Sequence, residues 1–312
     1  GSEMCIRDSF YYLHKNYSIS SHPEITLEAN PDDLTPDYIA MLRTLPFNRL
    51  SMGIQTFNES ILKVLQRRHT ARQAIEAFQN CRAAGFQNIS IDLMYGLPGE
   101  TLSTWQQDLD QALLLHPEHL SAYHLIYEED TVLWKLREQH KVEEADEDLS
   151  VSLFSTLIDR LTSEGYDHYE ISNFSLPGLY SRHNSSYWTE KKYLGCGPSA
   201  HSYNGVSRQW NVASLDTYIK GISAGTPVFE IEELDLYTRY NDFVITRIRT
   251  EWGMPLSKLR DEFGEKLYDY CLRMAAPHLK QGTLELVNDI LKLTRKGIFI
   301  SDGIMSDMLW TD

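Results

Sequence analysis

The chain is 312 residues long, 42% hydrophobic and 23% charged, which suits an ordinary globular protein with one sizeable domain and a smaller one. Its 29 Lys and Arg stand against 44 Asp and Glu, a net charge of -15 that excludes a nucleic-acid backbone as a natural partner. No apolar run reaches the length of a membrane span and none has the layout of a signal peptide. Four scattered cysteines (Cys5, Cys81, Cys196, Cys271) without C-x-x-C spacing predict free thiols, a reducing cytoplasm and no metal motif.

Residues 1–9, G-S-E-M-C-I-R-D-S, look foreign. Glu3 to Ser9 is similar to the in-frame translation of a transposase mosaic-end adapter, so this stretch is set aside as a non-native scar, and the native N-terminus is expected upstream. From Phe10 onward, strand, loop and helix repeat. Ile25 to Ala29 reads as a strand stopped by Asn30-Pro31, and Thr35 caps a helix running to Leu45. Arg49 to Gln55 is a second strand. Asn58 and Thr70 cap the next helices, the latter spanning Ala71 to Ala84 with Gly85 as its stop. A third strand, Ile89 to Met94, precedes a helix from Leu102 to Leu115, and Leu120 to Ile126 is a fourth strand. Strands alternating with helices predict a parallel sheet or barrel. The acidic run Glu143 to Asp148 reads as a solvated first turn of a helix whose apolar face is Leu149, Leu153, Leu157 and Leu161. Gly165 to Asn173 reads as another strand, followed by a Gly, Ser and Asn-rich connection. Beyond Ser214 the pattern changes to short helices (Asp216 to Ala224, Leu234 to Arg249, Pro255 to Phe263, Glu265 to Lys280) and a strand, turn and helix at the end.

Within the third strand Asp92 is anomalous. A carboxylate amid Ile89, Ile91 and Leu93 costs several kcal/mol unless it faces a polar ligand, a cation or loop amides. In a parallel array, ligands sit beyond the carboxyl ends of the strands. Glu28 ends the first strand, Gln55 the second, and Arg67 follows in L-Q-R-R-H. With Asp92 these offer carboxylates, an amide and a guanidinium suited to a ligand bearing hydroxyls, an amine and a carboxylate. Each alone also reads as a loop cap or an exposed helix-end cation.

E-A-N-P-D-D-L-T, S-M-G-I-Q-T-F, L-Q-R-R-H, I-D-L-M-Y-G-L-P-G-E-T and R-H-N-S-S-Y-W together resemble the radical S-adenosylmethionine (SAM) proteins of the oxygen-independent coproporphyrinogen III oxidase family. More narrowly they resemble its HemW branch of heme chaperones, from about Phe10 to Trp310. The resemblance implies an α/β fold, a partial (β/α)6 radical SAM barrel lacking its first two strands (residues 10–213), and a mostly α C-terminal domain with a small winged end (residues 214–312). It implies that Glu28, Gln55, Arg67 and Asp92 contact SAM, with Ile126 contributing backbone contact only. It further implies heme as ligand and heme-acceptor proteins as partners, and a homodimer is compatible with such a role. In the H-N-x-x-Y-W motif, His183 is the candidate axial imidazole. The bland reading is a loop histidine bonded to backbone, with Tyr187 and Trp188 filling core. His201 is either a second axial ligand or a satisfied loop histidine, and Cys196 reads as a small buried hydrophobe rather than a heme thiolate. Tyr123 and His124 alternate on the fourth strand, one toward the barrel interior and one toward the helices.

The resemblance also carries a departure. Such proteins open with a C-x-x-x-C-x-x-C motif for a [4Fe–4S] cluster and a G-G-T-P turn, and this chain has neither. SAM cleavage is therefore not expected of it, and no catalytic residue is assigned. The alternative function is an oxygen-independent coproporphyrinogen III oxidase (dehydrogenase) of porphyrin biosynthesis. If two opening strands are missing, the strand Ile25 to Ala29 is an unpaired edge and the protein should self-associate; a monodisperse monomer with a sharp melt in sedimentation and calorimetry would contradict this.

Overall fold

Apolar runs of strand length, each followed by a well-capped amphipathic segment, build the first half of the molecule. The computed structural model describes residues 2–311, with side chains from residue 4 onward. Its elements begin with α1 (Ser2–Asn16), β1 (Thr26–Ala29), α2 (Pro36–Leu42), β2 (Arg49–Gln55), α3 (Glu59–Val64) and α4 (Ala71–Ala83). Next come β3 (Ile89–Tyr95), α5 (Leu102–Leu115), β4 (His119–His124), α6 (Val132–Glu138), α7 (Glu147–Ser163), β5 (Asp167–Glu170) and β6 (Asn173–Ser175). Thr35, Asn58, Thr70 and Thr101 each accept a first-turn amide, and Thr70 with Gln73 completes a capping box. Helix α1 crosses the boundary drawn at Ser9 without a break; Arg7 Nη2 donates to Thr44 Oγ1 at 2.7 Å, and Phe10 meets Phe47 edge-on at 5.4 Å.

One sheet carries the strands in the order β1-β2-β3-β4-β6-β5. β1 to β4 are parallel and β6 runs antiparallel to β4. Two expectations need correction here. The strand expected over Gly165 to Asn173 is two short strands, β5 and β6, separated at Ile171-Ser172. Ile126 does not end β4; it lies two residues beyond His124, 71% exposed.

The two faces of this sheet differ in kind. Leu50, Met52, Ile54, Ile89, Ile91, Leu93 and Leu120 are fully buried against the helices, each contributing roughly 1.5–3 kcal/mol of apolar burial. Trp105 of α5 is wholly buried there and donates its Nε1–H to the Leu153 carbonyl of α7 at 3.0 Å. The alternate positions are polar. Glu28, Ser51, Ser90, His119 and Ser175 stand in one cross-strand row, and Gly53, Asp92, Ser121 and Asn173 in the next. Tyr123 shares this face and is exposed, whereas His124 points to the helices and meets Ser150 Oγ of α7 at 3.0 Å.

The chain divides into two compact units, the first comprising residues up to His168 with Ser172–Tyr180 and the second Tyr169–Ile171 with residues from Ser181 on. This division falls earlier than the change of pattern at Ser214. The second unit contains α8 (Arg182–Trp188), β7 (His201–Tyr203), β8 (Ser207–Asn211), α9 (Leu215–Ser223), β9 (Phe229–Glu233) and α10 (Leu236–Ile248). It continues with β10 (Met254–Pro255), α11 (Leu256–Gln281), β11 (Leu284–Val287), β12 (Ile290–Leu293), α12 (Arg295–Ile298) and α13 (Ser301–Met308). Tyr240, Phe243, Val244 and Ile248 of α10 pack on Leu259, Phe263, Leu267 and Cys271 of α11. Gly264, at φ 79 and ψ 172, breaks α11 into the two helices that the sequence pattern separates. β10, β12 and β11 make a small antiparallel sheet, and β7, β8 and β9 make another that the sequence pattern does not announce. R-H-N-S-S-Y-W is not a loop but helix α8, capped by Ser181 Oγ. Cys196 is exposed, which overturns its reading as a buried hydrophobe.

Removing the α5–α7 contact should unfold the first unit's helical layer. Trp105→Ala is expected to cost about 3–5 kcal/mol in urea denaturation; a cost near zero would show that the layer holds without it.

Candidate functional site

At the carboxyl ends of β1 and β2 the chain makes an unusual turn. The β2–β3 register shifts between Gly53 and Gln55, and Gln55 takes a left-handed φ of 72. Such a conformation in a residue other than glycine must be imposed by its surroundings. Asp108, buried on α5, supplies the hold: Oδ2 accepts the Thr56 hydroxyl at 2.5 Å and Oδ1 the Phe57 amide at 2.9 Å. Burial pushes the Asp108 carboxyl up to about 6, against the pull of these two donors. On the other side His69, also buried, meets the Ile54 carbonyl through Nε2 at 3.1 Å. Burial lowers its pKa, so the ring is neutral and donates N–H.

Arg67 Nη2 donates to the Gly53 carbonyl at 2.8 Å and to Asn30 Oδ1 at 2.7 Å. A Cβ at position 53 would stand 3.0 Å from Gln55 Nε2 and 3.4 Å from Arg67 Nη2, so glycine is what lets the three groups converge. Gly53 lies opposite Asp92 in the sheet. The Asp92 carboxylate takes hydrogen bonds from Ser121 and, at 3.4 Å, from Ser51; burial raises it to about 6, the charge of Glu28 adds to that, and Arg49 opposes it. Glu28 is exposed on β1, two residues before Asn30. The structure thus brings Glu28, Gln55, Arg67 and Asp92 to one end of the polar sheet face.

Sequence reasoning missed several members. Asp108 sits on the same helical stripe as Trp105, Leu109 and Ala112, and a carboxylate at that spacing was a readable anomaly. In the sequence Asn30 reads only as a strand stop. Arg49 is 4% exposed, with Nε unpaired among the described residues. It supplies positive potential on the polar face, where Ser90 Oγ and His119 Nδ1 pair at 2.8 Å. Burial, then Arg49, holds His119 far below its usual pKa, hence neutral.

In the second unit, His183 is exposed on α8 and its Nε2 meets the Tyr187 hydroxyl at 3.0 Å, with the two rings edge-on. Tyr187 is 38% exposed and does not fill core. Trp188 lies under the Arg249 guanidinium at 4.2 Å. His201, also exposed, stacks on Trp210 at 5.9 Å. A cavity of about 150 Å³ beside α8, lined by Tyr187, Tyr193, Tyr203 and Arg208 among others, is too small for a porphyrin.

The cysteines do not suit an iron–sulfur cluster. Burial pushes the Cys81 and Cys271 thiols up to about 11 and about 12, and Cys5 and Cys196 are exposed and isolated in sequence. Among the described residues no three His, Cys, Asp or Glu converge as metal ligands.

After β3, Glu100 pins the G-L-P-G loop: Oε2 accepts the Gly96 amide at 2.6 Å and the Leu97 amide at 3.2 Å, while Oε1 is buried and unpaired among the described residues. Burial pushes its carboxyl from 4.5 up to about 7. A raised carboxyl pKa favours folding below the unfolded value, and that contribution is lost as pH rises through the folded value. Stability of the wild type relative to Glu100→Gln should fall on the order of 2 kcal/mol from about pH 4.5 to about pH 8, read by urea denaturation. A flat difference would show that the carboxyl titrates in the fold as it does in the unfolded chain.

Comparisons with known proteins agree with this architecture. The Radical SAM superfamily signature matches residues 2–112, and the HemN C-terminal domain signature matches residues 234–300. The heme chaperone HemW of Bacillus subtilis is 30% identical over 92% of this chain and 76% of its own length. That of Lactococcus lactis is 32% identical over 93% of this chain and 76% of its own. The solved structure of Escherichia coli coproporphyrinogen III oxidase (HemN) superposes with a TM-score of 0.82 at 22% identity, covering 98% of this chain and 74% of that one. The fold is therefore that of the radical SAM proteins with a HemN-type C-terminal part, and the chain belongs to the HemW family of heme chaperones.

Proposed function

We propose that this protein is a cytoplasmic heme chaperone that holds heme at an exposed surface of its second unit, passes it to acceptor proteins, and carries a SAM site in its first unit. The observation that carries the heme reading is the His183–Tyr187 pair on α8: an exposed imidazole beside a phenol, in a family whose named members are heme chaperones. An exposed imidazole suits transfer. Iron ligation through Nε2 replaces one hydrogen bond from Tyr187, so release restores that bond and the cost of exchange stays low.

For SAM the donor set fits. Glu28 is placed to accept ribose hydroxyls, and Gln55 offers both an amide donor and an acceptor. Arg67 spends Nη2 on Gly53 and Asn30, leaving Nε and Nη1 for the carboxylate of the amino-acid end. Asp92, with a carboxyl near 6, is largely ionised at neutral pH and suits the amine. Ile126 would add main-chain contact alone. SAM supplies a nucleoside, an amino-acid end and a sulfonium; the residues present do not hold the cluster that a radical step needs. The oxidase alternative requires that step, and the curated relatives favour the chaperone. No described helix is long and apolar enough to cross a membrane.

Hemin titrated into the full chain should shift the Soret band and saturate at one equivalent. His183→Ala should abolish that saturable phase while leaving the melt unchanged; equal binding by both proteins would remove His183 as the ligand, and His201→Ala tests the second imidazole in the same way. By calorimetry with S-adenosylhomocysteine, Arg67→Met should weaken binding about tenfold or more.

A further inference from the structure

The small sheet of the second unit ends in an edge strand that pairs on one side only among the described residues. β9 is the outer strand of the order β7-β8-β9, and all five of its residues are exposed. Its ladder with β8 is flanked by the Val212 amide bonding to the Val228 carbonyl and the Leu234 amide to the Val206 carbonyl. By the alternation of an antiparallel pair, Val228, Glu230, Glu232 and Leu234 bond inward, and the main-chain groups of Phe229, Ile231 and Glu233 face outward. These outward groups form a template for one more strand.

The side chains along this edge sort by face except at its end, where Glu233, opposite Ser207, shares the face of Phe229 and Ile231. Phe229 (42% exposed) and Ile231 (54% exposed) lie on the face shared with Gln209, where a groove of about 240 Å³ runs between Ile231 and Leu194, itself 77% exposed. Glu230 and Glu232 lie on the opposite face with Trp210 and Arg208. Arg208 is committed to Asp242 and stands 4.0 Å from Glu232; Glu230 has no ion pair among the described residues. A strand added at this edge would therefore place apolar residues over Ile231 and the groove, and cations opposite Glu230 and Glu232.

The same pattern argues against a second copy of this chain. Antiparallel pairing of β9 with β9 centred on Ile231 sets Glu230 against Glu232 twice, and like charges directly opposite are destabilising. We propose that the open edge of β9 is a docking site for an extended segment of another protein, one whose residues alternate between apolar and basic, added as a fourth strand. This inference stands on the second unit alone and is independent of the SAM and heme sites.

The test uses the full chain and a labelled peptide alternating Lys and Val, followed by fluorescence anisotropy, with a Glu and Val peptide of equal length as control. The Lys peptide should bind saturably and the Glu peptide should not. Ile231→Pro deletes an outward amide without breaking a ladder bond, and should weaken the Lys peptide about tenfold with the circular dichroism spectrum and melt retained. Glu230→Lys changes the net charge of -15 by only two but should shift preference toward the Glu peptide, a reversal that general attraction to an acidic protein does not produce. Equal binding of the Lys peptide to wild type and Ile231→Pro would overturn the proposal. So would dimers in sedimentation that dissociate in Ile231→Pro without peptide, since the edge would then serve self-association.

Discussion

Desolvation of a charge governs the first unit. Asp92 stands in a strand whose neighbours on either side are Ile91 and Leu93, both fully buried against helices. A strand alternates its faces, so the apolar positions must all take the helical side and Asp92 must take the other. Its row then consists of Gly53, Ser121 and Asn173, and the row below of Glu28, Ser51, Ser90, His119 and Ser175, with Glu28 at the exposed end. The sheet is accordingly apolar on one side and hydrogen-bonding on the other, a division that reserves the second side for a polar occupant. Hydroxyls and a neutral imidazole carry most of this face, which limits the number of charges that must be buried.

Holding the site is largely the task of residues that face away from it. Asp108 reaches from α5 to the turn after Gln55, and His69 reaches from the segment before α4 to the Ile54 carbonyl, so the strained residue is gripped on both sides. Arg67 is braced by Asn30 and Gly53, while neighbouring Arg68 is tied to Asp32 and Asp33 at 2.7 and 3.1 Å. Three consecutive residues, Arg67-Arg68-His69, thereby anchor one loop to two strand ends. Preorganisation of this sort lowers the entropy lost when a flexible, many-donored ligand is bound.

Much of this was legible in the sequence because it depends on local rules. Caps at Thr35, Asn58 and Thr70, stops at Pro31 and Gly85, and the break at Gly264 all follow from backbone preferences of single residues. Asp92 was conspicuous because a carboxylate violates an apolar run. What stayed hidden depends on partners distant in sequence. β7 to β9 are strands of three to five residues, and S-R-Q-W-N shows no apolar alternation because the sheet is half-exposed on both faces. The stretch of α8 reads as loop because Ser and Asn favour turns, yet Ser181 caps it, and Arg247 and Lys258 grip Glu190 just beyond its end at 2.9 Å each. Cys196 looked core-like by residue type alone, whereas its glycine-flanked loop leaves it in solvent.

Helix α8 also fixes what light can report. Trp188 follows Tyr187 directly and is held under Arg249, so its indole stays within a few residues of His183 on a rigid element. Trp105 is sealed in the first unit, its Nε1–H already bonded to a carbonyl. An iron porphyrin seated at His183 would absorb the emission of Trp188 by energy transfer. If heme sits at His183 as proposed, quenching of Trp188 would report its arrival and departure against the emission of the five other tryptophans.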